Sequence, residues 1–398
     1  MFSLHDFPLE QKIVLVRVDY NVPLEKGKVK DTTRIKESLP TIEFLLAQKC
    51  KIVLATHLGR PEGKVVSEFK LKPVAQELQK LLPRQHIIPL TDCIGAEMRT
   101  KIQQGKPKDI FLLENLRFYA EEEDNNPIFA HSLASLADVY VNDAFSNSHR
   151  QHASMDAITQ FLPSIPGLLL EKEIQYLSKA LHPEKPAVWI LGGAKLDKIG
   201  LIHQALQKAD YILIGGALAF PFLRAKGIQV GMSKCDSSSV ELATKILTGK
   251  DGQKIILPID FVTAEKFSVQ AKTEIVRYNH LSSTQMGLDL GPETITLFTT
   301  YLRKARTIVW NGPLGYYEWA KFSLATKEIG RCLGHLTATS IVGGGETADA
   351  LHKFRMEHNV THVSTGGGAS LAFLSGQELP ALKALEENWK KWKKKNLK

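Results

Sequence analysis

Short runs of aliphatic and β-branched residues recur along the chain, each ending in a glycine-rich or charged turn. The first half holds KIVLVRVDYN (12–21), CKIVLATHLGR (50–60), DIFLLENLRF (109–118) and DVYVNDAF (138–145). Between them lie segments such as TRIKESLPTIEFLLAQK and LKPVAQELQKLL, whose apolar residues return at helical spacing. The segment 162–181, LPSIPGLLLEKEIQYLSKAL, opens with prolines and then reads as one helix, a natural connector. The pattern resumes with PAVWILGG (186–193), DYILIGG (210–216), QKIILPIDF (253–261), RTIVWNG (306–312), ATSIVGGG (338–345) and THVSTGGG (361–368). Near-continuous apolar strands alternating with helices predict α/β architecture, with mostly parallel sheets covered on both faces.

Length and composition narrow this picture. A chain of 398 residues exceeds what one core usually serves, so two domains are expected. Cys50, Cys93, Cys235 and Cys332 are scattered without a CxxC pair, which predicts a reducing compartment and no cysteine-based metal framework. The start, MFSLHDFPLEQK, lacks an export pattern, and no window of about 20 residues is apolar enough to span a bilayer. A cytoplasmic protein without membrane contact is therefore expected. The net charge of +9 is concentrated partly in the tail NWKKWKKKNLK, which follows the helically spaced ELPALKALEE and reads as a helix packing its tryptophans inward, with a weak basic patch as the other reading. Zinc-finger spacing and an aromatic single-strand-binding pattern are missing, so no nucleic acid partner is expected.

In open α/β sheets, ligands sit beyond the carboxyl ends of the strands. Those turns carry Asp19, Asn21, His57, Arg60, Arg117, His149 and Arg150 in the first half, with Arg34 opening the first helical segment. Several arginine forks at converging strand ends suit a small ligand with more than one anionic group. Asp19 and Asn21 either hold a substrate hydroxyl or orient the arginines, and each histidine could equally be a cap. The second half offers glycines, which let backbone approach a phosphate, with Lys195 and Lys198 after the first pair. This stretch, AVWILGGAKLDKIG, is not the GxxxxGK[ST] signature, and a GxGxxG dinucleotide fingerprint is also missing. In WNGPLGYYEW, Glu318 stands at a distance suited to a nucleotide sugar; in GGGETAD, Glu346 and Thr347 fall at a helix start. A carboxylate there can hold Mg²⁺ or simply cap the helix. An anionic metabolite in one lobe and a nucleotide in the other imply phosphoryl transfer, which needs positioning and charge neutralisation more than covalent help.

The stretches RVDYNVP, DTTRIKESLPTI, THLGRP, LLENLRF, VNDAFSNSHRQHASM, GLLLEKE, ILGGAKLDKI, LPIDFVTA, MGLDLGP, IVWNGPLGYYE, IVGGGETA and HVSTGGGASLAFLSG together resemble the phosphoglycerate kinase family, in order and over almost the whole chain. The resemblance implies two Rossmann-like three-layer domains joined by a helix and hinge: 1–162 for the phosphoglycerate, 163–181 as interdomain helix, 182–375 for the nucleotide, and 376–398 returning toward the first domain. It implies a monomeric, Mg²⁺-dependent enzyme moving phosphate reversibly between 1,3-bisphosphoglycerate and ADP, giving 3-phosphoglycerate and ATP, after domain closure. By the same likeness Asp19, Asn21, Arg34, His57, Leu58, Gly59, Arg60, Arg117 and Arg150 bind the phosphoglycerate. Arg34 also steadies the transferring group, and Lys195 follows it. Lys198, Gly287, Glu318, Gly344, Gly345, Glu346 and Thr347 hold the nucleotide, Glu346 with its magnesium. A different reading is a non-catalytic nucleotide or phospholigand binder on the same scaffold.

Several positions depart from the family's pattern. Glu346 follows the glycines where aspartate is usual, and Ser146, Asn147 and Ser148 replace Gly, Thr and Ala. Gly215, Gly216, Ala217 and Leu218 stand for the common GGGM, with Pro221 for a frequent threonine, and these changes are expected to line the adenine side. Lys195 and Lys198 are three apart where four is usual, which makes Lys198 the weaker assignment.

Overall fold

The computed structural model describes residues 3–194 and 199–396. The chain divides into two compact units, one formed by residues up to 174 together with those from 378 onward, the other by 175–377.

The first unit is built on a six-stranded, wholly parallel sheet. Its strands are β1 (Ile13–Arg17), β2 (Lys51–Ala55), β3 (Ile87–Pro89), β4 (Ile110–Leu112), β5 (Val139–Asn142) and β6 (Ser164–Pro166), ordered β3-β4-β2-β1-β5-β6. β1 is central: Arg17 lies opposite Ala55 on one side and Asn142 on the other. Val14, Leu15 and Val16 are fully buried, as a strand covered on both faces requires. The chain leaves β1 toward β2 and leaves β5 toward β6, so the direction of winding reverses between β1 and β5. That reversal opens a crevice beyond their carboxyl ends.

The second unit repeats the plan with β7 (Ala187–Leu191), β8 (Tyr211–Ile214), β9 (Ile255–Ile256), β10 (Asp260–Ala264), β11 (Glu274–Arg277), β12 (Met286–Leu290), β13 (Thr307–Asn311), β14 (Thr339–Val342) and β15 (His362–Val363). The parallel sheet runs β9-β8-β7-β13-β14-β15, with its own reversal between β7 and β13. β10, β11 and β12 form a separate antiparallel sheet, ordered β11-β10-β12.

Two differences from the sequence pattern are instructive. The first sheet has two strands beyond the four apolar runs, β3 and β6, each only three residues long and at an edge. The run QKIILPIDF is not one strand: it splits into β9 and β10, which belong to different sheets. Pro258 lies in the break, where a missing N–H would interrupt any ladder.

The helix expected after the prolines runs from Leu168 to Leu181. Its first amides are capped by Asp143, whose Oδ1 accepts from the Leu169 N–H at 2.9 Å, and the Leu168 N–H donates to Thr41 Oγ1 at 2.9 Å. The terminal helix, Pro380–Asn396, belongs to the first unit. Asn388 donates to the Leu162 carbonyl at 2.8 Å and accepts from the Ser164 N–H at 2.9 Å. Trp389 stacks on Trp392, which packs in turn on Phe7. Among the described residues no helix is long and apolar enough to cross a membrane.

Candidate active site

In the first unit the sequence-selected residues gather where β1, β2 and β5 end. The Asp19 carboxylate accepts from Arg34, from the Ser146 hydroxyl and, at 3.1 Å, from the Asn21 N–H. Asn21 Oδ1 accepts from the Gly59 N–H at 3.0 Å, and the Gly59 carbonyl accepts from Arg117 Nη1 at 2.8 Å. Asp19, Asn21, Arg34, Gly59 and Arg117 are thus one hydrogen-bonded chain. Gly59 has φ +67°, and a Cβ there would lie 2.5 Å from the Phe69 ring, so both backbone shape and space demand glycine. Leu58 is a core residue, while its N–H donates to Asn115 Oδ1 at 3.2 Å. Arg60 is exposed.

Several basic groups in this unit are unusual in being buried. Arg117 is 4% exposed and pairs with Glu123 at 3.1 Å. His57 is 2% exposed, with Nδ1 3.2 Å from Arg17 Nη2. Burial first, then the charges of Arg17, Arg117 and Arg150, hold the His57 imidazole well below the usual histidine range. Burial and Arg17 likewise push His152 down to about 3. Three enclosed polar atoms, Arg117 Nε, His149 Nδ1 and Arg150 Nη1, have no hydrogen-bond partner among the described residues. Enclosed groups left unpartnered are costly, so a cluster of them marks a place where a ligand completes the bonding. Arg17, Glu122, His152 and Ser154, also part of this cluster, were not selected from sequence. The one signal available was a charged residue inside the apolar run VLVRV.

In the second unit a cavity of about 450 Å³ opens beyond β7 and β13. Gly193, Gly216, Gly287 and Gly315 line it with backbone, and Phe220, Phe261, Leu288 and Leu314 supply apolar walls. The close approach is enforced: a Cβ on Gly192 would lie 2.3 Å from the Pro313 carbonyl oxygen, and one on Gly216, at φ +58°, would lie 2.7 Å from the Gly193 nitrogen. Glu318 and Glu346 stand exposed at its rim. Gly344 and Gly345 lead into the helix Gly345–Lys353. Thr347 is fully buried, and its hydroxyl accepts from the Gly312 N–H at 2.6 Å. One expectation is corrected here. Of the substituted residues, Ala217 lines the cavity, but Leu218 and Pro221 are buried in the helical turns behind it and form no part of its wall. Lys195 and Lys198 lie outside the described residues.

With this geometry in view, the comparisons with known proteins are decisive: the family model described as phosphoglycerate kinase matches residues 4–377. The chain belongs to the phosphoglycerate kinase family. It is 47% identical over 389 residues to the phosphoglycerate kinase of Moorella thermoacetica, covering 97% of this chain and 99% of that protein. It is also 47% identical over 396 residues to that of Koribacter versatilis, covering 96% and 98%. Among solved structures, phosphoglycerate kinase from Coxiella burnetii matches with TM-score 0.89 at 37% identity, covering 97% of this chain and 99% of that one. The enzyme from Pyrococcus horikoshii OT3 matches with TM-score 0.84 at 33% identity, covering 98% and 100%.

Membership of the phosphoglycerate kinase family implies use of adenine nucleotide and Mg²⁺. Among the described residues no group of three or more His, Cys, Asp or Glu is arranged to hold a metal. Exposed carboxylates at the cavity rim, with Glu346 at the helix start, are what remain. An exposed carboxylate in that place fits a magnesium that arrives on nucleotide phosphates and keeps its waters.

Proposed function

We infer that this chain works as a phosphoglycerate kinase: it transfers the 1-phosphoryl group of 1,3-bisphosphoglycerate to ADP and runs the reverse reaction with 3-phosphoglycerate and ATP. In the forward direction the bond between phosphorus and the carboxyl oxygen breaks, a bond to the β-phosphate oxygen of ADP forms, and the carboxylate leaves with the electron pair. The observation that carries this reading is the set of enclosed, unpartnered polar atoms on Arg117, His149 and Arg150, which suits a small polyanion.

In our reading residues 1–162 bind the phosphoglycerate, 182–375 bind the nucleotide, 163–181 join them, and 376–398 belong with the first domain. Asp19, Asn21, His57, Leu58, Gly59, Arg60, Arg117 and Arg150 form the phosphoglycerate site. Arg34, held by Asp19, also neutralises charge on the transferring group, with Lys195 as its counterpart on the nucleotide side. Lys198, Gly287, Glu318, Gly344, Gly345 and Thr347 contact the nucleotide, the glycines through backbone. Glu346 holds the magnesium, which supplies charge neutralisation to the nucleotide phosphates when bound. Domain closure brings the two ligands to reacting distance and excludes water that would hydrolyse the acyl phosphate. On the family likeness, and on four free cysteines, we place the enzyme as a cytoplasmic monomer that engages neither nucleic acid nor membrane.

The test is a coupled assay of the purified chain with 3-phosphoglycerate and Mg-ATP. Turnover well above a protein-free control is expected, and Arg34→Ala should lower kcat by about 10³, the scale on which a preorganised charge acts in the transition state. Turnover no greater than the control would favour the alternative of a phospholigand-binding protein on the same scaffold.

A further inference from the structure

Arg17 stands at the end of β1, is 1% exposed, and has no place in the binding set assigned above. All three of its nitrogens are occupied. Nε donates to Ser154 Oγ at 2.8 Å, Nη1 to the Val18 carbonyl, and Nη2 lies 3.2 Å from His57 Nδ1. Ser154 passes the chain on. Its hydroxyl donates to Glu122 Oε1 at 2.6 Å and its N–H donates to Oε2 at 2.9 Å, while Glu122 is itself fully buried. The Glu122 carboxylate also stands 4.0 Å from Arg17 Nη2, so the buried guanidinium has a buried counter-charge.

A guanidinium can only donate, and it does not lose its proton in a protein. An imidazole nitrogen in hydrogen-bond contact with it must therefore be an acceptor. That single fact fixes His57: Nδ1 carries no proton, so in the neutral ring the proton is on Nε2. Burial and the surrounding charges of Arg17, Arg117, Arg150 and His152 disfavour a second proton. Nε2 has no partner among the described residues, which leaves one N–H free for an anionic ligand.

We propose that Arg17 is a positioning residue that sets His57 as its Nε2–H tautomer, with Ser154 and Glu122 locking the guanidinium in place, so that His57 meets the phosphoglycerate as a fixed, neutral hydrogen-bond donor. The proposal rests on the reading that His57 contacts that substrate. It extends the reading by giving the reason a strongly basic site keeps an uncharged histidine. The ring adds a directed donor without adding charge, and its orientation is settled before the ligand arrives.

The experiment is long-range ¹H–¹⁵N correlation NMR on the full-length, ¹⁵N-histidine-labelled protein without ligand, with His57 assigned by its loss in His57→Gln. The expected spectrum has His57 protonated at Nε2 alone. A proton on Nδ1, or on both nitrogens, at neutral pH overturns the proposal whatever the turnover assay shows, and absent turnover leaves the tautomer result standing. The second arm is the charge-balanced double variant Arg17→Met with Glu122→Gln, chosen because removing either charge alone strands the other in the core. It is expected to give a mixture of His57 tautomers and at least a tenfold rise in KM for 3-phosphoglycerate, with KM for Mg-ATP unchanged. A folded variant that keeps the Nε2–H tautomer, or in which both KM values rise together, contradicts the assignment. Should the double variant fail to fold, the wild-type spectrum still decides.

Discussion

The two units share a plan and differ in how they present chemistry at the same place in it. Each is a parallel sheet whose winding reverses next to its central strand, β1 in one and β7 in the other, and each gathers its candidate site beyond that reversal. In the first unit the crevice is filled with side-chain charge, several members of it buried, and Arg117 Nε, His149 Nδ1 and Arg150 Nη1 have no partner among the described residues. In the second, the cavity is lined by glycine backbone and apolar side chains, with carboxylates only at the rim. Charge recognises a small polyanion whose identity is its charge pattern; close backbone approach and apolar walls suit a larger ligand with a flat apolar part and a phosphate tail. The same fold thus reads two ligands by two kinds of physics.

The comparison breaks most readily at a glycine. Gly192→Ala puts a methyl 2.3 Å from the Pro313 carbonyl oxygen and 2.7 Å from that of Gly312, both backbone atoms that cannot rotate away. We expect a loss of about 3 kcal/mol or more in stability of the second unit, the upper range for overpacking, read as a lowered first transition in denaturant unfolding. Gly27→Ala is the control, since a Cβ there meets nothing within 4 Å and only its φ of +73° resists. Equal losses for the two variants would mean that close approach is not what the nucleotide-side glycines provide.

A finer test uses a feature the two units have in common. Asp143 and Asp289 are both buried carboxyls that cap a helix start, and burial raises each to about 7. Asp289 Oδ2 accepts from the Ala325 N–H at 3.2 Å, as Asp143 accepts from Leu169. A folded-state value above the unfolded one means the native state keeps a proton the unfolded chain has released. Their contribution is therefore fully favourable below about pH 4, falls as pH rises to about 7, and is constant above. Relative to wild type, Asp143→Asn and Asp289→Asn should become progressively more stable across that window, by a few kcal/mol at most. Denaturant midpoints measured between pH 4 and 8 check this. A difference from wild type that does not change with pH would show that the capping amides hold these carboxylates ionised.

The central strands were legible in the sequence because burial on both faces requires near-continuous apolar runs, and IVLVR and AVWIL are such runs. β3 and β6 were harder to see, each being three residues long and held mostly by the strand beside it. The antiparallel β10-β11-β12 sheet was also missed, because its first strand reads as the continuation of β9 until Pro258 separates them. The arginines at the turns stood out as charge where strands end. Arg17 did not, because within β1 it looks like an interruption rather than a site. Glu122 is one of three consecutive glutamates, and only the fold determines that it is buried while Glu121 and Glu123 are exposed. In the second unit the glycines were legible, but the walls they support were not. Phe220 and Phe261 come from distant segments, and Leu218 and Pro221 turned out to face the core.

The division of labour between the two units is tested most directly by steady-state titration of each substrate against the other in one variant from each side. Arg150→Met removes an enclosed donor from the first unit; Gly287→Val pushes a side chain toward Phe220, 2.6 Å from a Cβ at that position, and into the cavity of the second. Arg150→Met should raise KM for 3-phosphoglycerate by about tenfold to a hundredfold, the loss of one charge-assisted contact, and leave KM for Mg-ATP alone. Gly287→Val should do the reverse. If either variant, still folded, shifts both constants equally or shifts the opposite one, the assignment of one ligand to each unit is wrong.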